Sequence, residues 1–135
     1  MRAAIALVFL PLLAAPLPSR AEEAGFMLCE AFPHLTCVLS GDSFFLRGQM
    51  IRLSDIEAPR RYALECQAAT QLSWKSAERL RDLLNAGPFE LEGAELQADG
   101  AQLRLVTRDG KSLGDILVAE GLASDRTGTT PNWCE

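Results

Sequence analysis

Four cysteines are the first residues in this sequence whose type and spacing indicate a chemistry. They are Cys29, Cys37, Cys66 and Cys134. An even number of cysteines in a short chain of an oxidising compartment is typical of two disulfides, and four cysteines allow three pairings. We favour Cys29–Cys37, which lie close in sequence, and Cys66–Cys134, which would close a long loop and hold the last residues.

A zinc site is the alternative for the first pair, because His34 lies between Cys29 and Cys37. Thiolates and imidazole nitrogens are the ligands that zinc prefers in proteins. The chain contains no C-x-x-C pair, however, and the compartment predicted below favours disulfides. We therefore favour a disulfide at this position.

Charged side chains that could hold a metal or an anion concentrate in one segment: Asp42, Arg52, Asp55, Glu57, Arg60 and Arg61. Carboxylate oxygens bind calcium, and a guanidinium holds phosphate or carboxylate. Structural alternatives exist for each of them. Asp42 suits a turn, Asp55 and Glu57 suit an exposed strand end, and Arg52 suits an ion pair with Asp42 or Glu57. Arg60 and Arg61 suit a solvated loop pair.

The N-terminus has the layout of a secretory signal peptide. Met1-Arg2 is followed by an apolar run from residue 3 to residue 18, and Ser19-Arg20-Ala21 offers small residues at a cleavage site. Three prolines interrupt the run, and it is shorter than the ~20 apolar residues of a membrane-spanning helix. We predict cleavage near Ala21, no transmembrane anchor, and a secreted or periplasmic protein.

The charge balance argues against bulk nucleic-acid binding. The chain has 13 basic and 18 acidic residues, a net charge of −5, and loss of two arginines with residues 1–21 lowers this to −7. Strong non-specific binding to nucleic acid needs a basic surface. Residues 22–135 are enough for one small domain.

Hydrophobic patterns predict three strands in hairpin order, at residues 35–39, 43–46 and 49–56. From Ala68 the period becomes helical, and Gly87-Pro88 predicts the end of this long helix. Two further strands and a short helix that begins after Ser112 follow. Five short strands with a helix after the third predict an α+β fold, a five-stranded OB-type Greek-key barrel.

Three motifs in this order resemble the thermonuclease (staphylococcal-nuclease-like) family from about Cys37 to Ala123. VLSGDS at residues 38–43 is similar to its Asp-Gly-Asp-Thr turn. IRLSDIEAP at residues 51–59 is similar to its Ile-Arg-Leu-x-x-Ile-Asp-Ala-Pro-Glu strand end. DGKSLGD at residues 109–115, continuing to Ala123, is similar to its turn and second helix. The closing Trp133-Cys134 is similar to exported, cysteine-containing members.

The resemblance implies a vestigial active site. Asp42 stands at one calcium-ligand position, and Glu57 replaces the aspartate at another. Arg52 matches a phosphate-binding arginine. Arg60 stands where a general base belongs, and Ala101 stands where a second phosphate arginine belongs.

These replacements predict loss of catalysis. A general base contributes about 10²–10⁴-fold to rate and a charge stabiliser about 10²–10³-fold. An arginine cannot accept a proton at physiological pH. We accordingly divide the mature chain into two parts. Residues 22–36 form an N-terminal segment tethered by a disulfide, and residues 37–135 form the degenerate nuclease-like domain with a disulfide-anchored tail.

We expect this domain to be a non-catalytic binding or interaction module without a cofactor, whose partner is a protein or a small anionic ligand. The alternative is a weak calcium-dependent phosphodiesterase that acts on DNA or RNA through Asp42, Glu57 and Arg52. A purely structural module of the cell envelope is the third hypothesis.

Overall fold

The computed structural model describes residues 24–61, 65–129 and 131–135. The predicted signal peptide, residues 1–21, lies outside the described residues. The elements, in chain order, are β1 (Met27–Leu28), β2 (Cys37–Ser40), β3 (Ser43–Leu46), β4 (Gln49–Leu53), β5 (Ile56–Glu57), α1 (Gln67–Asn85), β6 (Glu90–Leu96), β7 (Gln102–Arg108), β8 (Lys111–Ser112), α2 (Leu113–Ala119) and β9 (Ser124–Asp125).

The larger sheet follows the order β1-β2-β3-β4-β7-β6, and β8 pairs with β7. Strands β1 and β2 run parallel, as do β4 and β7, and the other neighbours are antiparallel. Strands β5 and β9 form a separate antiparallel pair. The predicted α+β class is confirmed. Within the described residues, the strand pairings form an open path from β1 to β6 and do not close into a barrel.

The predicted third strand, residues 49–56, was too long and is in fact two strands, β4 and β5. The backbone leaves the sheet at Ser54 and Asp55. Ser54 donates its N–H to the carbonyl of Arg104 at 3.0 Å. Asp55 turns towards the start of α2, where its Oδ2 accepts a hydrogen bond from the Ser112 hydroxyl.

Asp55 is therefore not an exposed strand-end carboxylate, as one sequence alternative suggested. Its side chain is half-buried, and a Cβ added at Gly114 would lie 2.7 Å from Asp55 Oδ1. Only glycine at this position lets α2 approach the carboxylate so closely. The Asp55 side chain thus connects the start of β5 to the N-terminus of α2.

Helix α1 packs against β1, β2 and α2 through the apolar face that the sequence predicts. Leu80 and Leu84 on this face are buried, together with Phe26, Phe44 and Phe89. The rings of Phe26 and Phe44 meet edge to face with centroids 5.5 Å apart, a preferred aromatic geometry. The N-terminal segment thus contributes to the common hydrophobic core.

The two predicted disulfides, Cys29–Cys37 and Cys66–Cys134, are confirmed. The first ties the segment after β1 to β2, and the second ties the N-cap of α1 to the C-terminal residues. Neither helix in the described part of the chain has the length and apolar character needed to cross a membrane.

Candidate functional site

The turn between β2 and β3 is seated directly on α1. A Cβ placed on Gly41 would lie 2.5 Å from Ser76 Oγ and 3.0 Å from Ala58 Cβ, so a larger residue does not fit. Ser40, Ser43 and Ser76 are buried at this contact. The close approach of Gly41 to Ser76 and Ala58 therefore fixes the position of the next residue, Asp42.

Asp42 joins this turn to the end of β5. Its Oδ1 accepts a hydrogen bond from the Ser40 hydroxyl at 2.7 Å, and its Oδ2 accepts from the backbone N–H of Ala58 at 3.2 Å. The Asp42 carbonyl also accepts from the N–H of Leu53 at 2.8 Å. The residue after Glu57 is thereby held against the turn, which brings the two candidate calcium ligands to the same region.

Glu57 faces an arginine that the sequence analysis missed. Arg126 Nη1 lies 3.6 Å from Glu57 Oε1, and Arg126 Nη2 donates to the carbonyls of Ile56 and Leu53 at 3.1 and 3.4 Å. Pairing of β9 with β5 brings Arg126 there, since Glu57 lies opposite Ser124. No periodicity or motif marks residues 124–126, so the sequence carried no signal for this contact.

Arg52 pairs with neither Asp42 nor Glu57, contrary to the structural alternative that the sequence suggested. Its Nη2 lies 3.0 Å from Asp99 Oδ2, and its Nη1 donates to Gln97 Oε1 at 3.2 Å. The parallel pairing of β4 with β7 explains why Arg52 contacts Asp99 and Gln97. It places Arg52 opposite Leu103, beside the loop that connects β6 to β7.

Asp99 is held in its ionised form by this arrangement. The N–H of Ala101 donates to Asp99 Oδ1 at 3.1 Å. This backbone hydrogen bond, followed by the hydrogen bond from Arg52, lowers the pKa of the Asp99 carboxyl below its usual value. Ala101 itself is fully buried, so its side chain offers no contact to a ligand.

Arg60 and Arg61 have different environments, so a solvated pair is the wrong description. Arg61 is only 5% exposed, its guanidinium lies 4.1 Å from the centre of the Trp74 ring, and its Nη1 donates to the Val38 carbonyl at 3.4 Å. Arg60 is exposed, and within the described ranges it forms no ion pair.

These side chains line one cavity of about 830 Å³. Its described lining includes the arginines Arg52, Arg60, Arg61 and Arg126. It also includes the carboxylates Asp42, Glu57, Glu65 and Asp99. Pro59, Pro131 and Trp133 form part of the wall, the last two supplied by the tail that Cys66–Cys134 anchors. The structure thus brings together Asp42, Arg52, Glu57 and Arg60, whereas Ala101 does not line the cavity.

The candidate calcium ligands fit a calcium ion poorly. Calcium takes six to eight oxygen ligands. Both oxygens of Asp42 already accept hydrogen bonds, and Glu57 faces the cationic Arg126. Arg60 lines the same cavity and adds a further positive charge. Asp42 and Glu57 therefore offer a calcium ion few oxygens that are not already engaged.

No protein-family model matches this chain, and no curated protein matches it.

Proposed function

We propose that this chain is an exported, catalytically degenerate thermonuclease-like domain, and that its cavity binds a small anion or an anionic group of a partner protein. The observation that carries this proposal is the environment of Arg60. This exposed arginine lines a cavity of about 830 Å³ and has no ion-pair partner in the described ranges. The other cavity arginines already contact Asp99, Glu57 or Trp74.

The strand order supports an OB-type interpretation of the fold. Strands β2-β3-β4-β7-β6 follow one another, with a parallel step between β4 and β7. An OB-fold is a five-stranded, partly open Greek-key barrel, so five strands in a non-sequential order agree with it. The motif similarity at residues 38–43, 51–59 and 109–123 supports the same interpretation.

Three groups in the described lining of the cavity are poorly suited to act as a general base. The base position of the thermonuclease motif is occupied by Arg60, which cannot accept a proton at physiological pH. Asp99 is a poor substitute, because its lowered pKa makes it a weak proton acceptor. Asp42 is engaged by Ser40 and Ala58. These features favour binding over catalysis.

Export is supported by the two disulfides, since such bonds persist mainly in oxidising compartments. It also agrees with the signal-peptide layout of residues 1–21. We therefore infer a secreted or periplasmic location.

Calorimetric titration with pyrophosphate and with citrate tests the proposal for phosphate and carboxylate ligands. We expect binding of at least one anion, weakened about tenfold or more by Arg60→Ala, because a hydrogen bond to a charged group contributes about 1.5–3 kcal/mol. Arg81→Ala is the matched control, since Arg81 lies outside the cavity lining and pairs with Asp82. An affinity that Arg60→Ala leaves unchanged would contradict the proposal.

The alternative activity has its own assay. The oxidised protein is incubated with single-stranded and duplex DNA and with RNA, with calcium or with a chelator. We expect no cleavage. Calcium-dependent cleavage that is abolished by Asp42→Ala would overturn the proposal of a catalytically degenerate domain and would identify the protein as a phosphodiesterase.

A further inference from the structure

We propose that Cys29, His34 and Cys37 form a zinc site when the disulfide between the two cysteines is reduced. None of these three residues lines the cavity described above, and the site forms only where a dithiol reduces the disulfide. The two sulfurs and a ring nitrogen of His34 all lie within 4.8 Å of one another. In the described residues this is the one group of three or more such side chains close enough to hold a metal ion.

The ligand set and the distances suit zinc. Zinc binds sulfur at about 2.3 Å and imidazole nitrogen at about 2.0–2.1 Å, which separates neighbouring ligand atoms by about 3.5–3.8 Å in a tetrahedron. Breaking the sulfur–sulfur bond therefore lets the sulfurs move apart to this spacing, while the imidazole approaches by an ångström or so. Two cysteines and one histidine leave the fourth position to water, as in zinc sites with an open coordination position.

The His34 ring is held beside the two cysteines by aromatic contacts. Its ring contacts the ring of Phe32 at a centroid distance of 4.0 Å and that of Phe45 at 5.1 Å. Phe45 lies opposite Cys37 across β2 and β3, so the imidazole packs beside this cysteine. His34 Nδ1 is buried and has no hydrogen-bond partner among the described residues. A buried polar atom without a partner is rare, and a metal bound through this nitrogen would satisfy it.

The cysteines are held close together by contacts other than their bond. Strand β1 pairs with β2 in parallel, with Leu28 opposite Val38, and the N–H of Cys29 donates to the Val38 carbonyl at 2.9 Å. Phe26 is buried. Its N–H donates to Asn85 Oδ1 at 2.8 Å, and its carbonyl accepts from Asn85 Nδ2 at 2.9 Å. Reduction therefore leaves two thiols on a backbone that is already positioned.

The chemistry balances with a dithiol as the reductant. A thiolate of the dithiol attacks one sulfur of the Cys29–Cys37 bond and forms a mixed disulfide, and its second thiol then releases the protein. Two electrons pass to the protein, which gains two thiols, and the dithiol becomes a disulfide. Zinc then displaces the two thiol protons and binds both thiolates and the neutral imidazole.

The experiment measures metal binding by the full chain before and after reduction with a phosphine, followed by gel filtration and elemental analysis. We expect no zinc on the oxidised protein and about one zinc per reduced chain. Cobalt, substituted for zinc, should give the thiolate charge-transfer and tetrahedral absorption bands. Cys66→Ser/Cys134→Ser is the matched control and should keep the site.

His34→Ala isolates the proposed ligand while it leaves both thiols in place. We expect it to weaken zinc binding about 100-fold or more, because even loss of a residue that only supports a metal ligand costs 10–100-fold. Unchanged affinity in His34→Ala would overturn the site, as would loss of binding in the Cys66→Ser/Cys134→Ser control. Equal affinity in the urea-unfolded chain would also overturn it, because the site depends on the folded strands.

Discussion

Asp42 Oδ2 accepts a hydrogen bond from the backbone N–H of Ala58 at 3.2 Å, across 16 residues of sequence. The same carboxylate accepts from the Ser40 hydroxyl. Asp42 thus connects the turn between β2 and β3 to the end of β5, whatever it contributes to ligand binding. In this chain, the candidate metal ligand also has a structural role.

Asp42→Ala should lower the free energy of unfolding by about 1–3 kcal/mol, because the Ala58 N–H loses its acceptor and the Ser40 hydroxyl keeps only Ser43 Oγ as a partner. Asp42→Asn should cost less, since its amide oxygen can still accept one of the two hydrogen bonds. Urea denaturation of the oxidised protein measures both. Equal stability of Asp42→Ala and the wild type would mean that these bonds contribute nothing.

Gly41→Ala should destabilise the protein by about 1–3 kcal/mol through overpacking against α1. The added methyl would lie 2.5 Å from Ser76 Oγ and 2.6 Å from Ser76 Cβ. The double mutant Gly41→Ala/Ser76→Gly should lose less stability than the sum of its two single mutants. Gly25→Ala is the control, since nothing lies within 4 Å of its added Cβ. Additive effects in the double mutant would rule out the proposed steric contact.

Asp99 should titrate below the ordinary aspartate pKa of 3.8. Because folding depresses this pKa, the carboxylate stabilises the protein above the unfolded-state pKa, and this contribution is lost as the pH falls through the folded-state value. Arg52→Ala should raise the pKa only in part, since the Ala101 N–H is the larger cause. Carboxyl-carbon NMR titration of both proteins measures this. A complete return to the ordinary pKa in Arg52→Ala would reverse that order.

Removal of the Cys66–Cys134 bridge should cost more stability than removal of Cys29–Cys37. The two bridges join residues 68 and 8 positions apart. The chain-entropy model gives about 4 kcal/mol for the long loop and about 2.5 kcal/mol for the short one. Paired Cys→Ser variants, unfolded in urea without reductant, measure the difference. A larger loss for the short loop would mean that native contacts around Cys29 and Cys37 outweigh loop entropy.

Ala101→Arg should destabilise the protein and should not add an arginine to the cavity. Ala101 is fully buried, so the substitution would force a guanidinium into the protein or displace the loop that carries Asp99. We expect a loss of about 3 kcal/mol or more in unfolding free energy, as for an uncompensated buried charge. Leu96→Arg is the control, because Leu96 is 71% exposed at the end of β6. If Ala101→Arg were as stable as the wild type, the loop would be able to turn this side chain outwards.

Local sequence signals predicted the longer helices and strands of the described residues, but they missed the two-residue strands β1, β8 and β9 and merged β4 with β5. The strand predicted at Ser43–Leu46 has these bounds in the structure, and the predicted long helix is Gln67–Asn85. Such signals work because hydrophobic period, turn residues and helix stops act over a few neighbouring residues. The cysteine pairing was also accessible, since one pair was close in sequence and the other was then determined.

Only the tertiary structure decided which charges meet. Arg52 forms its ion pair with Asp99 because the parallel pairing of β4 with β7 brings the loop between β6 and β7 beside Arg52. Arg126 lies close to Glu57 because β9 pairs with β5. The Asp55 side chain accepts a hydrogen bond from Ser112 at the start of α2, at the point where the predicted third strand is interrupted between β4 and β5. These contacts join residues 47, 69 and 57 positions apart in the chain. Ion pairs and hydrogen bonds depend on distances of a few ångströms, which strand register sets and local sequence patterns do not encode.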